Sequence, residues 1–230
     1  MILVACGLQR EANILRGLGV VAIPGGGDAA RLEAVLDGQA AGATLIVSAG
    51  IAGALDPALK AGDVVVDLPE YSHESGNPES QAMTSETLDP RVRGGTLEEM
   101  VKAALPQARY GQIIGQDHIA ATAADKAALY AATGALAVDM ESHIAARVAM
   151  QHSLPFIAIR TISDTAHESL PPAALIGMSP DGSMALGKVL MSLVRRPGQL
   201  PALIKTGRNA EGAFRALREV AVAIAALERP

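Results

Sequence analysis

Three acidic residues follow apolar runs that have the length of buried β-strands. Glu11 comes shortly after the first run, Glu141 comes just after the run 136–138, and Asp164 ends the run that starts at position 156. In an open α/β sheet, ligands bind beyond the carboxyl ends of the strands. We therefore expect these acids to converge on one pocket, where carboxyl groups can give or take protons and bind hydroxyls.

Each of these acids also has a purely structural interpretation, which the sequence leaves open. Asp164 could cap the turn that follows its strand. Glu141 could complement the dipole at the start of a helix. Glu11 could be a solvated acid in the first turn of a helix.

Two segments rich in small residues also stand at predicted strand ends. Residues 48–66 include Ile51, Ala52 and Gly53, and the small side chains of this segment let a ligand approach the backbone closely. The other segment lies between the second strand and the next helix, at Gly25, Gly26 and Gly27.

The glycine turn matches the dinucleotide-binding pattern G-x-G-x-x-A over residues 25–30. That pattern also requires an acid about 20 residues later to hold a ribose, and residues 46–50 contain none. The sequence therefore favours a tight turn over a nicotinamide site. A glycine-rich turn at a helix N-terminus could still offer backbone donors to an anion such as phosphate.

Short apolar runs alternate with stretches of helical periodicity, which predicts an α/β fold. The runs are mostly uniformly apolar, as in a sheet that helices cover on both faces. The expected strands are residues 2–6, 20–23, 44–48, 63–68, 109–114, 136–138 and 156–162. The expected helices are residues 10–16, 28–40, 97–104, 123–132, 141–151, 183–194 and 210–227. The polar stretches 71–96 and 163–180 are predicted to be loops.

Length and composition predict a single domain that spans residues 1–230. Half of the 230 residues are hydrophobic, but only two Phe, three Tyr and no Trp contribute, so the core must be aliphatic. The net charge of −5 and the scarcity of aromatic residues argue against nucleic acid as a partner. Cys6 is the single cysteine, and no segment reaches the ~20 apolar residues that span a bilayer. The start of the chain lacks a signal-peptide pattern, so we expect a cytoplasmic protein.

Charge is distributed unevenly along the chain. The basic C-terminal segment 186–230 has eight bases and three acids, so it carries +5 and the rest carries −10. Helical periodicity in this segment predicts one apolar stripe, formed by Phe214, Leu217, Ala221, Ile224 and Leu227. Either the stripe packs on the sheet or in a subunit interface and the bases are solvated, or the bases meet an anionic membrane surface.

Taken together, these segments resemble the nucleoside phosphorylase and nucleosidase family, which includes purine nucleoside phosphorylases and methylthioadenosine nucleosidases. The resemblance extends in order over residues 7–11, 53–66, 115–117, 139–141 and 162–164. Residues 25–36, 170–175 and 196–203 are similar to a bacterial subgroup, the hopanoid-associated phosphorylases. The resemblance implies a single three-layer α/β domain with helices on both sides of a mixed sheet.

The family resemblance implies cleavage of the N-glycosidic bond between a purine, here adenine, and C1′ of ribose. Adenine leaves poorly as an anion, so a general acid should protonate the ring, and the resemblance gives this role to Asp164. It gives Glu141 the ribose hydroxyls and a place near C1′, which becomes cationic in the transition state. Met140 would pack against the sugar and the base.

The resemblance places the purine against residues 116–119 and Ser163. His118 stands where a stacking aromatic residue is common, and Ile119 follows it. The histidines have no metal-ligand spacing, so the sequence predicts no metal site. No cofactor is expected, with phosphate as an alternative co-substrate.

The acceptor for C1′ is water in nucleosidases and phosphate in phosphorylases. Family phosphorylases commonly have an arginine in the turn after the first strand, whereas nucleosidases have a glutamate there that activates water. This chain has both Arg10 and Glu11, and Ile51 stands where phosphorylases have a hydroxyl. Because an apolar side chain cannot bind phosphate, the sequence favours hydrolysis, and the backbone of the glycine turn leaves phosphorolysis open.

The subgroup resemblance implies adenosylhopane as substrate, a triterpenoid that carries adenosine, converted to ribosylhopane in hopanoid biosynthesis. Such a lipid needs a pocket that opens outward, and the apolar segment 170–176 would form its rim. A lipid substrate also implies peripheral membrane contact through Arg195, Arg196 and Lys205. The alternatives are a soluble adenine nucleoside such as methylthioadenosine, or a non-catalytic relative that binds a nucleoside or lipid. Family members are oligomers, so we expect a homo-oligomer.

Overall fold

The computed structural model describes residues 1–68, 96–175 and 186–228. Nearly all of the predicted loop 71–96 lies outside the described residues. The same holds for the end of the predicted loop 163–180, for the last residue of the rim 170–176, for the first residues of the predicted helix 183–194, and for the last two residues of the chain.

Within the described residues, eight strands form one mixed sheet. They are β1 (Ile2–Cys6), β2 (Val20–Pro24), β3 (Leu45–Ala54), β4 (Val64–Asp67), β5 (Arg109–Tyr110), β6 (Ile113–Gly115), β7 (Ala137–Asp139) and β8 (Phe156–Asp164). The order is β2-β1-β3-β8-β4-β5, and β7 pairs with both β3 and β6. Strands β2, β1, β3 and β8 are parallel, whereas β4 is antiparallel to β8 and β7 is antiparallel to β3.

The long central strand β3 brings the ends of several strands together. It pairs with β1 near its start and with β8 along its length. Its last residues pair with β7, so that Gly53 lies opposite Val138. An irregularity after Ala52 shifts the register with β8 and pairs Gly53 with Asp164. The ends of β7 and β8 therefore flank Gly53 from opposite sides.

Helices cover both faces of this sheet. They are α1 (Gln9–Leu15), α2 (Ala29–Ala40), α3 (Leu97–Ala104), α4 (Ala123–Thr133), α5 (Ser142–Gln151), α6 (Pro172–Leu175), α7 (Leu186–Arg195) and α8 (Leu200–Leu227), with a 3₁₀ turn at Pro197–Gln199. One face packs against α1, α3 and α8, and the other face packs against α2 and α5.

Alternate residues of one strand serve both cores. Ile2 and Val4 of β1 face the α1–α3–α8 side, whereas Leu3 and Ala5 face the α2–α5 side. This two-sided burial explains why the run is uniformly apolar. The predicted three-layer α/β fold with a mixed sheet is confirmed.

Several elements differ from their predicted bounds. Strand 44–48 extends to Ala54, because its small residues continue to pair with β8. The predicted strand 109–114 is two strands, since β5 pairs with β4 and β6 pairs with β7. Helix α6 lies inside the predicted loop 163–180. Helix α8 begins ten residues earlier than predicted, with a proline in its first turn, where the missing N–H costs no bond.

The apolar stripe of α8 packs on the molecule itself. Phe214, Leu217 and Ile224 are buried in the core on this face of the sheet, and Ala221 and Leu227 pack at its edge. This arrangement agrees with the packing interpretation of the stripe. None of the helices in the three described ranges is long and apolar enough to cross a membrane.

Candidate active site

Glu11 is a buried acid at the start of α1. Its Oε2 accepts hydrogen bonds from the N–H groups of Gly7 and Leu8, and its Oε1 accepts one from the N–H of Ile51, each at 2.7 Å. Burial raises the pKa of Glu11, although the three N–H donors and Arg160 act in the opposite direction. Since a carboxylate has about four acceptor sites, one site on Oε1 has no donor among the described residues. The structure thus rules out a solvated Glu11.

Arg160 is a fully buried cation in the middle of β8. Its Nε donates to Oδ2 of Asp139 at 2.5 Å, and its Nη2 donates to Oγ of Ser48 at 2.6 Å and lies 3.5 Å from Oε2 of Glu141. Burial disfavours the cation, but the carboxylates of Asp139, Glu141 and Glu11 outweigh this effect and raise the pKa of Arg160. Its Nη1 is buried and has no hydrogen-bond partner among the described residues.

Glu141 is a second buried acid beside this guanidinium, at the junction of β7 and α5. The carboxylate of Asp139 accepts the N–H of Glu141 at 3.0 Å and that of Ser142 at 2.8 Å, which fixes the turn into α5. Burial raises the pKa of Glu141 to about 8; Arg160 opposes this, and repulsion from Asp139 and Glu11 adds to it. Three carboxyl groups therefore surround a single guanidinium in a buried space.

Gly50 lets Glu11 and Arg160 pack against the backbone of β3. A Cβ on Gly50 would lie 2.8 Å from Oε1 of Glu11 and 2.8 Å from Nη1 of Arg160. The oxygen of Glu11 and the unpartnered donor of Arg160 therefore lie against the same glycine.

A cavity of about 220 Å³ lies beside Glu141. Its lining includes Met140 and Glu141, Asp117 from the loop after β6, and Gly25 and Gly27 from the turn before α2. The structure thus brings the predicted ribose ligands and the glycine turn to one cavity.

Asp164 ends β8 and is 6% exposed. Its Oδ1 accepts a hydrogen bond from Oγ of Ser163 at 2.8 Å, and its Oδ2 forms an ion pair with the fully buried Lys126 of α4. The following turn is closed by Glu168, whose Oε2 accepts the N–H of Thr165 at 2.9 Å. In this part of the structure, Glu168 rather than Asp164 therefore caps the turn.

The predicted base-binding residues fall into two environments. Ser163 is buried beside Asp164, whereas His118 and Ile119 are exposed in the loop between β6 and α4. That loop begins next to Asp139, because Gly115 pairs with Asp139. The structure brings Ser163 to the predicted general acid and leaves His118 and Ile119 on an open surface.

Arg10 lies outside this site, which corrects its predicted role on the acceptor side. Its guanidinium forms two hydrogen bonds with Glu211 of α8, at 2.5 and 2.7 Å, and lies 4.0 Å above the ring of Phe214. Successive residues of a helix point about 100° apart. Because Glu11 faces the core, its neighbour Arg10 faces α8.

The glycine turn uses two of its amides to hold its own conformation. The N–H of Gly25 donates to the carbonyl of Cys6 at 2.7 Å, and that of Gly26 donates to the carbonyl of Gly7 at 2.8 Å. Gly26 and Gly27 have φ angles of +66° and +80°, which favour glycine. The tight turn is confirmed, and Gly25 and Gly26 do not offer their amides to a phosphate as the alternative required.

The sequence contains a signal for one of the two buried cations, Arg160, but not for the other, Lys126. Arg160 interrupts an apolar run, and a charge inside a buried strand has to be paired, which is a signal of a site. Lys126 has no such signal, because lysines on helices usually face solvent.

Comparison with solved structures gives the class of fold. A methylthioadenosine/S-adenosylhomocysteine nucleosidase from Neisseria meningitidis, in complex with methylthio-immucillin-A, superposes with a TM-score of 0.56 over 95% of this chain and 97% of that chain, at 20% identity. Futalosine hydrolase from Helicobacter pylori superposes with a TM-score of 0.52 over 95% of each chain, at 16% identity. At these identities the likeness is one of fold.

Sequence comparison gives the family. The sequence profile of the phosphorylase superfamily matches residues 14–195, and the chain belongs to this superfamily. A methylthioadenosine/S-adenosylhomocysteine nucleosidase from Staphylococcus aureus is 26% identical over 133 residues, which are 54% of this chain. The chain spans 58% of the length of that relative.

Proposed function

We propose that this protein hydrolyses the N-glycosidic bond of an adenine nucleoside. One observation carries the proposal: Glu11, Glu141 and Arg160 form a buried cluster, in which an acceptor site of Glu11 and a donor of Arg160 have no partner among the described residues and lie against the same glycine. The Staphylococcus aureus relative, named a nucleosidase of methylthioadenosine and S-adenosylhomocysteine, supports the same class of reaction.

The charge of this cluster suits the breaking of a C–N bond. As the bond breaks, C1′ of the ribose becomes positively charged. Once Glu141 is ionised, three carboxylates against one guanidinium favour that cation over the neutral substrate, which is the condition for catalysis. The ribose would lie in the cavity beside Met140 and Glu141, with its hydroxyls donating to the Glu141 carboxylate.

The leaving base needs a proton, and Asp164 is the acid available on the neighbouring strand. Gly53 pairs with Val138 on one side and with Asp164 on the other. Asp164 is therefore about two strand spacings, each ~4.8 Å, from the end of β7 that leads to Glu141. This separation lets one acid face the base while the other binds the ribose.

Water fits the acceptor position better than phosphate. A water molecule bound by both groups would donate to Oε1 of Glu11 and accept from Nη1 of Arg160, which has no partner among the described residues. Glu11 would then take the proton of the water as its oxygen attacks C1′. The donors that the sequence offers to a phosphate at Arg10, Gly25 and Gly26 are engaged elsewhere: Arg10 pairs with Glu211, and the N–H groups of both glycines donate to backbone carbonyls.

The test is incubation with methylthioadenosine, with and without phosphate, followed by chromatography of the products. We expect adenine and the free sugar at the same rate in both buffers. A strict need for phosphate, with a sugar phosphate as product, contradicts hydrolysis, and no adenine at all contradicts the class of reaction. Glu11→Gln should lose the activity, whereas Glu98→Gln, the same change on the surface of α3, should keep it.

We further propose that the nucleoside has a large apolar 5′ group, as in adenosylhopane. The support is a surface on α7 where Leu190, Met191 and Val194 are exposed beside the bases Arg195 and Arg196. Apolar side chains next to bases suit the interface of an anionic membrane, where such a lipid resides.

Two measurements test this finer proposal. Adenosylhopane dispersed in detergent should have a higher kcat/KM than methylthioadenosine. Flotation with anionic liposomes should recover the protein at low salt and lose it when Arg195 and Arg196 are both replaced by Gln. No binding at low salt contradicts the membrane contact and leaves the hydrolysis proposal unaffected.

A further inference from the structure

Lys126 is a buried charged residue that the mechanism above does not use. Its side chain is fully buried, although it lies in the first turn of a helix. Thr122 and Asp125 form a reciprocal capping box at that turn, with both backbone N–H bonds at 3.1 Å. The capping box fixes the backbone from which Lys126 extends into the protein.

The ammonium of Lys126 has an acceptor for each of its three N–H groups. One is Oδ2 of Asp164, and the other two are the carbonyls of Thr165 and Glu168, both at 2.9 Å. Burying a charge is strongly unfavourable unless its hydrogen bonds are all made. All three acceptors belong to Asp164 or to the turn that follows it, so Lys126 connects α4 to this one place.

We propose that Lys126 is the positioning residue of Asp164. It holds one carboxyl oxygen in place and compensates the negative charge that Asp164 acquires when its proton passes to the base. This inference rests on the hydrolysis proposed above. Asp164 acts as the acid in its protonated form, with the proton on Oδ1, since Oδ2 accepts from Lys126. In the proton transfer, this O–H bond breaks and an N–H bond forms on the base. The electron pair stays on the carboxylate, and Lys126 keeps its three protons.

The other elements around Asp164 contribute no competing cation within the described residues. On β3 its neighbour is Gly53, and on β8 it is the neutral Ser163. The Glu168 carboxylate is paired with Lys205 of α8 at 2.7 Å. The contacts of Arg160 are with the cluster around Glu141, as described above.

A double-mutant cycle with Lys126→Gln and Asp164→Asn tests the proposal. We expect Lys126→Gln to lower kcat for methylthioadenosine by about 10- to 10³-fold, with KM changed less than about threefold. In the Asp164→Asn background the same change should alter the residual rate less than about twofold, since coupled residues are not additive. Equal losses in both backgrounds would show a merely structural role and overturn the proposal.

A second readout does not depend on turnover, so failure of the proposed function can be told apart. In protein labelled with ¹³C-aspartate, the Asp164 carboxyl signal is the one that is absent from Asp164→Asn. We expect its chemical shift to differ between Lys126→Gln and the wild type and to be the same in Glu98→Gln and the wild type, and an unchanged signal in Lys126→Gln overturns the proposal.

Gly53→Ala is the alternative variant if Lys126→Gln does not fold, because it perturbs the same pair, Lys126 and Asp164. A Cβ on Gly53 would lie 3.1 Å from Oδ2 of Asp164 and 3.5 Å from Cε of Lys126. We expect a lower kcat in the wild-type background and little further change in the Asp164→Asn background. A loss of the same size in both backgrounds counts against the proposal.

Discussion

Glu141→Gln should stabilise the protein progressively, relative to the wild type, as the pH rises from 5 to 8. Burial raises the pKa of Glu141 from its ordinary value of 4.5 to about 8 in the folded protein. Below pH 4.5 both the folded and the unfolded chain hold this proton, so the group does not change the free energy of unfolding. Above it, the unfolded chain releases a proton that the folded protein retains, so the free energy of unfolding falls as the pH rises towards 8. Gln has no such proton, so the free energy of unfolding of the variant does not fall for this reason.

The size of the effect follows from the pH interval. Each pKa unit corresponds to ~1.4 kcal/mol, so the interval from pH 5 to pH 8 gives an upper limit of about 4 kcal/mol. For a chain of this length, 1 kcal/mol shifts Tm by about 2–4 °C, so the upper limit of the gain in Tm is about 8–16 °C. The introduced amide also places an N–H₂ group beside Arg160, which adds a penalty of about 1–3 kcal/mol at every pH. The diagnostic quantity is therefore the increase, with rising pH, of the Tm difference between Glu141→Gln and the wild type.

Thermal melting of both proteins at pH 5, 6, 7 and 8 measures this difference. Glu98→Gln is the matched control, because Glu98 is exposed and pairs with Lys102 on the surface. The Tm of this control should depend on pH in the same way as the Tm of the wild type. If Glu141→Gln also melts in parallel with the wild type, the carboxyl group is not held protonated by burial and the reasoning about the cluster is refuted. Its kcat should fall by about 10²-fold, because the amide has no charge to stabilise C1′.

Three further changes probe the remaining parts of the site. Asp164→Asn should lower adenine release by about 10²–10⁴-fold and also lower Tm, because it leaves the buried Lys126 unpaired; normal release would remove Asp164 from the mechanism. Gly50→Ala would bring a Cβ to 2.8 Å from both Glu11 and Arg160, so it should displace these side chains and lower kcat by about 10²-fold with little change in KM; normal turnover would contradict the catalytic role of this pair. In the wild type, kcat/KM should rise as the pH approaches about 8, because Glu141 must ionise to bind the hydroxyls; a flat profile between pH 6 and 8 would contradict this role.

The strand-end acids are predictable from the sequence because each one follows a run of apolar residues. The parallel arrangement of β1, β3 and β8 then brings Glu11 and Asp164 to the same edge of the sheet, and β7 adds Glu141. The partners of these acids are not predictable in the same way. Lys126 and Asp164 are 38 residues apart, and only the packing of α4 against the end of β8 makes them a pair.

The error at Arg10 has a related origin. An arginine and a glutamate stand side by side in the turn after β1, and the sequence does not say which of them faces inward. The answer depends on α8. Its Glu211, 201 residues away in the chain, binds the guanidinium, and the ring of Phe214 lies against it. The early start of α8 is a second long-range effect, because its first turns contain Pro201, Gly207 and Asn209, which are poor helix formers in isolation.

The small residues of the site serve a purpose that the sequence only half reveals. They are predicted to let a ligand approach the backbone, yet in the structure they first make room for the protein's own carboxyl groups. A Cβ on Gly7 would lie 2.9 Å from Oε1 of Glu141, and one on Gly53 would lie 3.1 Å from Oδ2 of Asp164. At Gly50 the same is true of Glu11. Each acid therefore lies against a glycine on an adjacent stretch of backbone, and the buried acids can stay close to the sheet because those positions have no side chains. Substitution of any of these glycines should consequently displace an acid before it obstructs a substrate.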